Sequence, residues 1–341
     1  MSEGSVRTQI EGASTPYPSQ ETTKHPGVVY RHWLGLLLAL GLTAGAFYFA
    51  VRGIDTAALW RRVASQNHSL IIVAALLLVV QIVFGAERWR TILKMLMPDR
   101  RVPLVGVQAA FYTAAFFNCF PLGNIGGDIA RVVLSRQLTL PFDRIITSVL
   151  VDHALALVAI FAVAALTLPT ISHPLASAAW FGSVAILLAV VAGAYLLWIF
   201  EYALGRWRHH RLVGTFLALT AQLESLRQPR MLVALLWGLL SVGASALSTY
   251  FLSRALGIAV GPAAMAAVMS MVTLVVIMPI SLAGWGVREV SFVALLGTLG
   301  VEADAAFLLS VEVGLLTMVM SLPGAGLWLL TRQRTDMAVA G

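Results

Sequence analysis

Residues 121–131 read Pro121-Leu-Gly-Asn-Ile-Gly-Gly-Asp128-Ile-Ala-Arg131, and residues 279–289 read Pro279-Ile-Ser-Leu-Ala-Gly-Trp-Gly-Val-Arg288-Glu289. Each stretch follows a long apolar run. Each opens with a proline, carries a glycine five residues on, and then presents an acid and an arginine. Pro121, Gly126 and Gly127 in the first, and Pro279, Gly284 and Gly286 in the second, are the expected helix breaks. A broken helix in lipid leaves backbone N–H and C=O groups unpaired. Lipid tolerates this only where the break is buried in protein or lines a wet cavity. One such break in each half of a chain is the pattern of a transport site.

Composition places both breaks in a membrane. Of 341 residues, 59% are hydrophobic and 11% charged, against about 25% charged in a soluble domain. Apolar blocks fall at 33–51, 69–85, 104–120, 144–168, 176–200, 231–252, 262–281 and 305–330. These lengths match the roughly 17–25 residues of a membrane helix. The expected fold is an all-α integral membrane protein with six to eight transmembrane helices, and no separate soluble domain. Residues 1–30, rich in Ser, Thr, Pro and Gln, read as a disordered cytoplasmic tail. Residues 31–334 read as a single transmembrane domain and 335–341 as a second tail. The block at 33–51 exceeds the roughly 7–15 residues of a signal-peptide core, so it is expected to remain as an anchor. The net charge of +7 reads as a topology signal and an attraction to anionic lipid, not as nucleic-acid binding. The single cysteine, Cys119, excludes an intramolecular disulfide and reads as a small buried hydrophobe.

Charge distribution decides between eight crossings and six. If all eight blocks cross, with the N-terminus inside, the inner segments hold 11 Lys and Arg and the outer ones 12. That removes the usual positive-inside bias. If 104–127 and 262–287 instead enter and leave on one side, the counts become 18 inside and 5 outside. The favoured reading therefore has six full spans, two re-entrant hairpins and both termini cytoplasmic. Each half, about 31–170 and 176–330, then reads span, span, hairpin, span. An odd number of spans per half makes the halves an inverted repeat. Between them, 205–228 carries a basic loop and an apolar stripe of Leu212, Phe216, Leu219, Leu223 and Leu226. That spacing predicts an amphipathic helix on the inner leaflet.

Six polar residues are the candidate lining of a substrate path: Asn118, Asp128, Arg131, Asp152, Arg288 and Glu289. Asp128 and Arg131 are three apart, near enough on a helix to pair. They read either as a cap and salt bridge or as the polar floor of a head-group cavity. A charge at mid-depth costs about 2.5–3.5 kcal/mol on insertion scales, so Arg288 and Glu289 are expected to face protein or water. Arginine can hold a phosphate through two parallel bonds. Asp152 and Glu312 lie inside apolar blocks, and an intramembrane acid is a functional candidate. Arg131, Arg144 and Arg288 are the partners open to Asp152, and a proton-coupling role is the alternative. The seven histidines show no zinc spacing, and no nucleotide loop, nucleophile elbow or acid cluster is found. No catalytic residue, cofactor or metal is expected.

The stretches Arg88-Trp89-Arg-Thr-Ile-Leu93, Phe117-Asn118 to Arg131, Ser148-Val-Leu-Val-Asp152 and Pro279 to Glu289 together resemble the lysylphosphatidylglycerol synthase transmembrane-region family of flippase-like membrane proteins. The similarity spans about 33–330. It implies translocation of a lipid or lipid-linked precursor across a bacterial inner membrane. The implied partners are membrane lipids: an anionic phospholipid, a hopanoid or a polyprenyl-phosphate-linked sugar. It also implies that Asp128, Arg131, Arg288 and Glu289 line the path. The family pattern has an arginine after the acid at 152, where this chain has His153. Aminoacyl-transferring members carry a soluble catalytic domain after the membrane part. This chain reaches only Gly341, so synthase activity is not expected to carry over. The rival readings are a lipid-modifying membrane enzyme using Asp128, Asp152 and Glu289, and a non-transporting subunit of a lipid or hopanoid biosynthesis complex.

Overall fold

In the computed structural model the described residues are 61–120, 123–137, 140–204, 228–278 and 282–340, with isolated positions at 41, 45 and 48. The chain falls into two units, Met1–Leu38 and Ala39–Gly341, and the second contains everything below. The tail at 1–30, most of the block at 33–51 and the linker at 205–227 lie outside the described residues, as do Pro121, Pro279 and Ser281.

All regular structure among the described residues is helical. The order is α1 (His68–Leu96), α2 (Leu104–Asn118), α3 (Gly123–Gln137), α4 (Phe142–Thr167), α5 (Pro174–Leu204), α6 (Arg230–Ala255), α7 (Pro262–Ile277), α8 (Val287–Gly297), α9 (Ala303–Ser321) and α10 (Pro323–Ala340). Short 3₁₀ turns cover Leu168–Thr170 and Leu282–Gly284. Five helices are long and apolar enough to cross a membrane: His68–Leu96, Phe142–Thr170, Pro174–Gly193, Arg230–Ala255 and Ala303–Thr331. With 33–51 they would make six.

The spans are fastened by a seam between α1 and α6. The Asn67 N–H donates to the Ala255 carbonyl (3.4 Å), the Ser248 hydroxyl to Ala74 (2.8 Å) and the Ser241 hydroxyl to Gln81 (3.1 Å). These contacts step by seven residues along each helix in opposite directions, so the helices run antiparallel. A seven-residue repeat is that of two helices coiled at a shallow angle. Lipid tails are as apolar as leucine, so small and hydroxyl-bearing residues, not bulk, drive such pairing. Ala74, Ser241, Ala244 and Ser248 are all buried there. The two helices are the second spans of the two expected halves. An inverted repeat would set them antiparallel in this way.

Both breaks fold as helical hairpins. At about 1.5 Å per residue, α2 is roughly 22 Å long, short of the ~30 Å hydrocarbon core. Val102 and Val107, where α2 begins, share one apolar cluster with Leu134 and Leu140, where α3 ends. The two limbs therefore start and finish together. Their closest approach is at Gly127, where a Cβ would stand 2.7 Å from the Ala114 carbonyl oxygen and 2.0 Å from Asn118 Oδ1. The second hairpin is alike: Met265 of α7 and Leu296 of α8 lie in one cluster with Leu256 and Ile258. Its turn needs left-handed backbone at Ala283, Gly284 and Gly286. At Gly284 a Cβ would also meet Val276 Cγ1 at 2.6 Å, so only glycine fits.

Two boundaries differ from the sequence reading. The block at 305–330 is one span with a break at Leu322, because Pro323 has no N–H to continue the ladder. Beyond the break Gly324 lies close enough to Tyr112 of α2 that a Cβ would come within 2.4 Å of its carbonyl oxygen. The helix then runs on to Ala340, through the segment read as a tail.

Candidate functional site: two buried charge clusters

The first cluster joins α1, α3 and α4. Asp152, in the middle of α4, is 2% exposed. One carboxylate oxygen accepts from Arg88 Nε of α1 (2.7 Å) and the other from Arg131 Nη1 of α3 (2.8 Å). Arg131 Nη2 also donates to Asp128 one turn earlier. The guanidinium carbon of Arg131 lies 5.3 Å from the Trp89 ring centre and 5.4 Å from that of Phe111. Arg131 thus has acids at its edge and aromatic rings near it, and it is 5% exposed. Trp89 is itself fixed by an indole N–H bond to Ser148 Oγ (3.0 Å). His153, on the next position of α4, puts Nε2 3.5 Å from Asp128 Oδ2, while Nδ1 lies 2.9 Å from the Val149 carbonyl. The position that departs from the family pattern therefore still faces the acid at 128.

The second cluster is built on the second break. Glu289, in the first turn of α8, is fully buried. Its Oε2 accepts the Gly286 N–H at the helix start, closing a cap over backbone that the turn would otherwise leave unpaired. Its Oε1 accepts from Arg288 Nε (3.1 Å), Arg288 Nη2 (2.8 Å) and the Ser310 hydroxyl of α9 (3.2 Å). Arg288 stacks over Trp285, 4.5 Å from the ring centre. Its Nη1 makes no hydrogen bond among the described residues, and the side chain is 13% exposed. Arg88 and Arg131 balance Asp128 and Asp152 in the first cluster, and Arg288 balances Glu289 in the second, so each is near neutrality apart from His153. An isolated charge at this depth would be costly, and a paired one far less so.

Five of the six candidate residues fall into these two groups. Asp128, Arg131 and Asp152 come together, joined by Arg88. Arg288 and Glu289 come together, joined by Ser310. Among the described residues no ion pair or hydrogen bond links one group to the other. The hairpins themselves do meet, with α3 lying against the 282–284 turn. Cys119 at the end of α2 sits 3.5 Å from Ser321 Oγ. Asn118 joins neither group and is exposed, with its amide over Gly127. Of the partners open to Asp152, Arg144 pairs with its neighbour Asp143 (3.7 Å) instead. Glu312 takes a bond from Gln66, and its Oε2 is buried without a partner.

Gly314 of α9 also belongs to the second cluster, since a Cβ there would stand 2.1 Å from Arg288 Nη2; sequence reasoning left Arg88, Ser310 and Gly314 out of the site. Arg88 had a signal, its place at the head of the 88–93 stretch that carries the resemblance. Ser310 and Gly314 had none, since small residues are common in membrane helices.

The model of one protein family, described as the lysylphosphatidylglycerol synthase TM region, matches residues 33–324. A comparison with curated proteins gave no match.

Proposed function

We propose, from the premise that the chain belongs to the lysylphosphatidylglycerol synthase transmembrane-region family, that it moves a phosphate-bearing lipid between the leaflets of a bacterial inner membrane. Membership itself indicates a multi-pass membrane protein with a lipid-related role. The observation that carries the finer reading is the pair of buried charge clusters, one beside each helical hairpin. Charges inside a bilayer are expensive and mark ion, proton or substrate paths.

The clusters suggest different duties. Arg131 has both terminal nitrogens on carboxylates and aromatic rings close by. It holds α1, α3 and α4 together in this conformation. Among the described residues Arg288 leaves Nη1 without a hydrogen bond, beside the second hairpin's turn. It is the better group to meet a head-group phosphate, its remaining N–H bonds supplementing those to Glu289. Rocking one inverted half on the other about the α1–α6 seam would expose this position to the two sides in turn. The acyl or isoprenoid tails would stay in the bilayer. The enzyme reading is less well supported. Asp128, Asp152 and Glu289 are each engaged by an arginine and offer no free base.

The test is a leaflet-selective flipping assay in proteoliposomes. Arg288→Lys keeps the charge but loses the planar fork. The expected result is at least about a tenfold fall in flipping rate, which corresponds to roughly 1.4 kcal/mol, with an unchanged unfolding temperature. Wild-type flipping by a well-folded Arg288→Lys protein would remove Arg288 from the path. No flipping of any phospholipid or polyprenyl phosphate by the wild type would remove the function.

A further inference from the structure

A groove of about 730 Å³ opens where α1 ends, α2 begins and α6 begins. Five cations line it: Arg90, Lys94, Arg100, Arg101 and Arg230. No acid lines it. Arg90 alone is committed, to Glu87 (3.2 Å), and its Nε is buried without a partner. Among the described residues Lys94, Arg100, Arg101 and Arg230 form no ion pair; Arg230 reaches only the Gln228 amide (3.4 Å). Asp99, exposed in the same loop, pairs with none of them. Such a concentration of unpaired charge repels itself and attracts an anion.

The groove's surroundings say which anion. Its floor is apolar, with Met97, Val102 and Leu104. Leu104 and Val105 beside it are 47% and 79% exposed. Lys94 lies in the last turn of one membrane-length helix, and Arg230 opens another. The cations therefore stand at the level where a spanning helix leaves the hydrocarbon. A soluble anion has no use for an apolar floor. A phospholipid does, because its phosphate can sit among the cations while its first methylenes lie on Leu104 and Val105. The volume falls in the range of small-ligand sites, about 300–1,000 Å³.

We infer that this groove is a binding site for the head group of an anionic phospholipid from the adjoining leaflet, distinct from the two buried clusters. It does not require the chain to transport that lipid. Binding is expected to be salt-sensitive, because the cations are exposed.

The experiment uses the full chain in vesicles of about 30% phosphatidylglycerol in phosphatidylcholine, where each basic residue adds measurably to binding. A photoactivatable phosphatidylglycerol is crosslinked and the labelled peptide mapped by mass spectrometry. Labelling at 94–105 is expected to exceed that by the matching phosphatidylcholine probe by about tenfold or more, and to fall about fivefold per charge removed in Lys94→Gln, Arg100→Gln and Arg101→Gln. These side chains are exposed and form no ion pair, so the single variants are expected to fold; should the triple variant not fold, the singles carry the test. Equal labelling by both probes would overturn the site. So would labelling unchanged in the singles, or labelling abolished by excess inorganic phosphate, which would identify a free-anion site. Flipping is measured separately, so its loss does not bear on this result.

Discussion

The guanidinium of Arg288 lies directly on Gly314 of the facing span: a Cβ there would stand 2.1 Å from Nη2 and 2.6 Å from Nη1. A helix has given up a side chain so that a buried cation can lie flat against it. The relationship ties the second hairpin to α9 at the point where Ser310, one turn earlier, also bonds Glu289.

Gly314→Ala is therefore expected to push Arg288 off Glu289. Overpacking of this kind costs about 1–3 kcal/mol, readable as a lower unfolding temperature, and flipping should fall with it. Gly326→Ala is the control. That glycine is also helical but has nothing within 4 Å of the added methyl, so the variant should be neutral or more stable by about 0.5–1 kcal/mol. Equal effects at both positions would mean that the contact with Arg288 is immaterial.

Asp152→Asn leaves Arg88 without an acid, because Asp128 reaches Arg131 and His153 but not Arg88. Breaking a buried pair from one side costs about 3–5 kcal/mol. Removing Arg88 as well, in Arg88→Met/Asp152→Asn, should recover part of that loss. A double-mutant cycle in urea or heat measures the coupling. Additive losses would show that Arg88 and Asp152 are not energetically paired.

The α1–α6 seam should tolerate loss of a hydroxyl better than gain of bulk. Ser248→Ala removes one interhelical bond, worth about 0.6 kcal/mol on average in a membrane. Ala74→Leu forces the helices apart at a fully buried position and should cost about 1–3 kcal/mol. Comparison of unfolding midpoints checks the ranking, and a larger loss from Ser248→Ala would reverse it.

Hairpin topology predicts sidedness. In a Cys119→Ser background, Arg101→Cys before α2 and Asp143→Cys after α3 should react with an impermeant maleimide from the same side of the membrane. Both flank the hairpin and are exposed. Labelling from opposite sides would make residues 104–137 a crossing.

Apolar block length and the Pro/Gly punctuation were enough to read the membrane class, the five described spans and the places where two more blocks turn back. These are properties of short windows: a hydrocarbon slab selects on local hydropathy, and a missing N–H or Cβ acts on its own helical turn. The kink at Pro323 was legible by the same rule, although it was read through. The family could be recognised for a related reason, since two of the four stretches that carry the resemblance sit at the breaks.

The partners were not legible. Asp152 had three arginines open to it and took Arg131 from that group, but its second partner is Arg88, 64 residues away. Which side of α1 turns inward depends on how α1 packs against α4 and α6, and no local window contains that. Asp128, Arg131, Arg288 and Glu289 were read as the lining of one path, yet the fold closes each acid on an arginine of its own half. The sequence by itself determined that charges would be buried at two breaks in an apolar chain. Only the tertiary structure decided which helix supplies each counter-charge, and that a glycine makes room for Arg288, because pairing at this depth is set by the rotation and closeness of helices far apart in the chain.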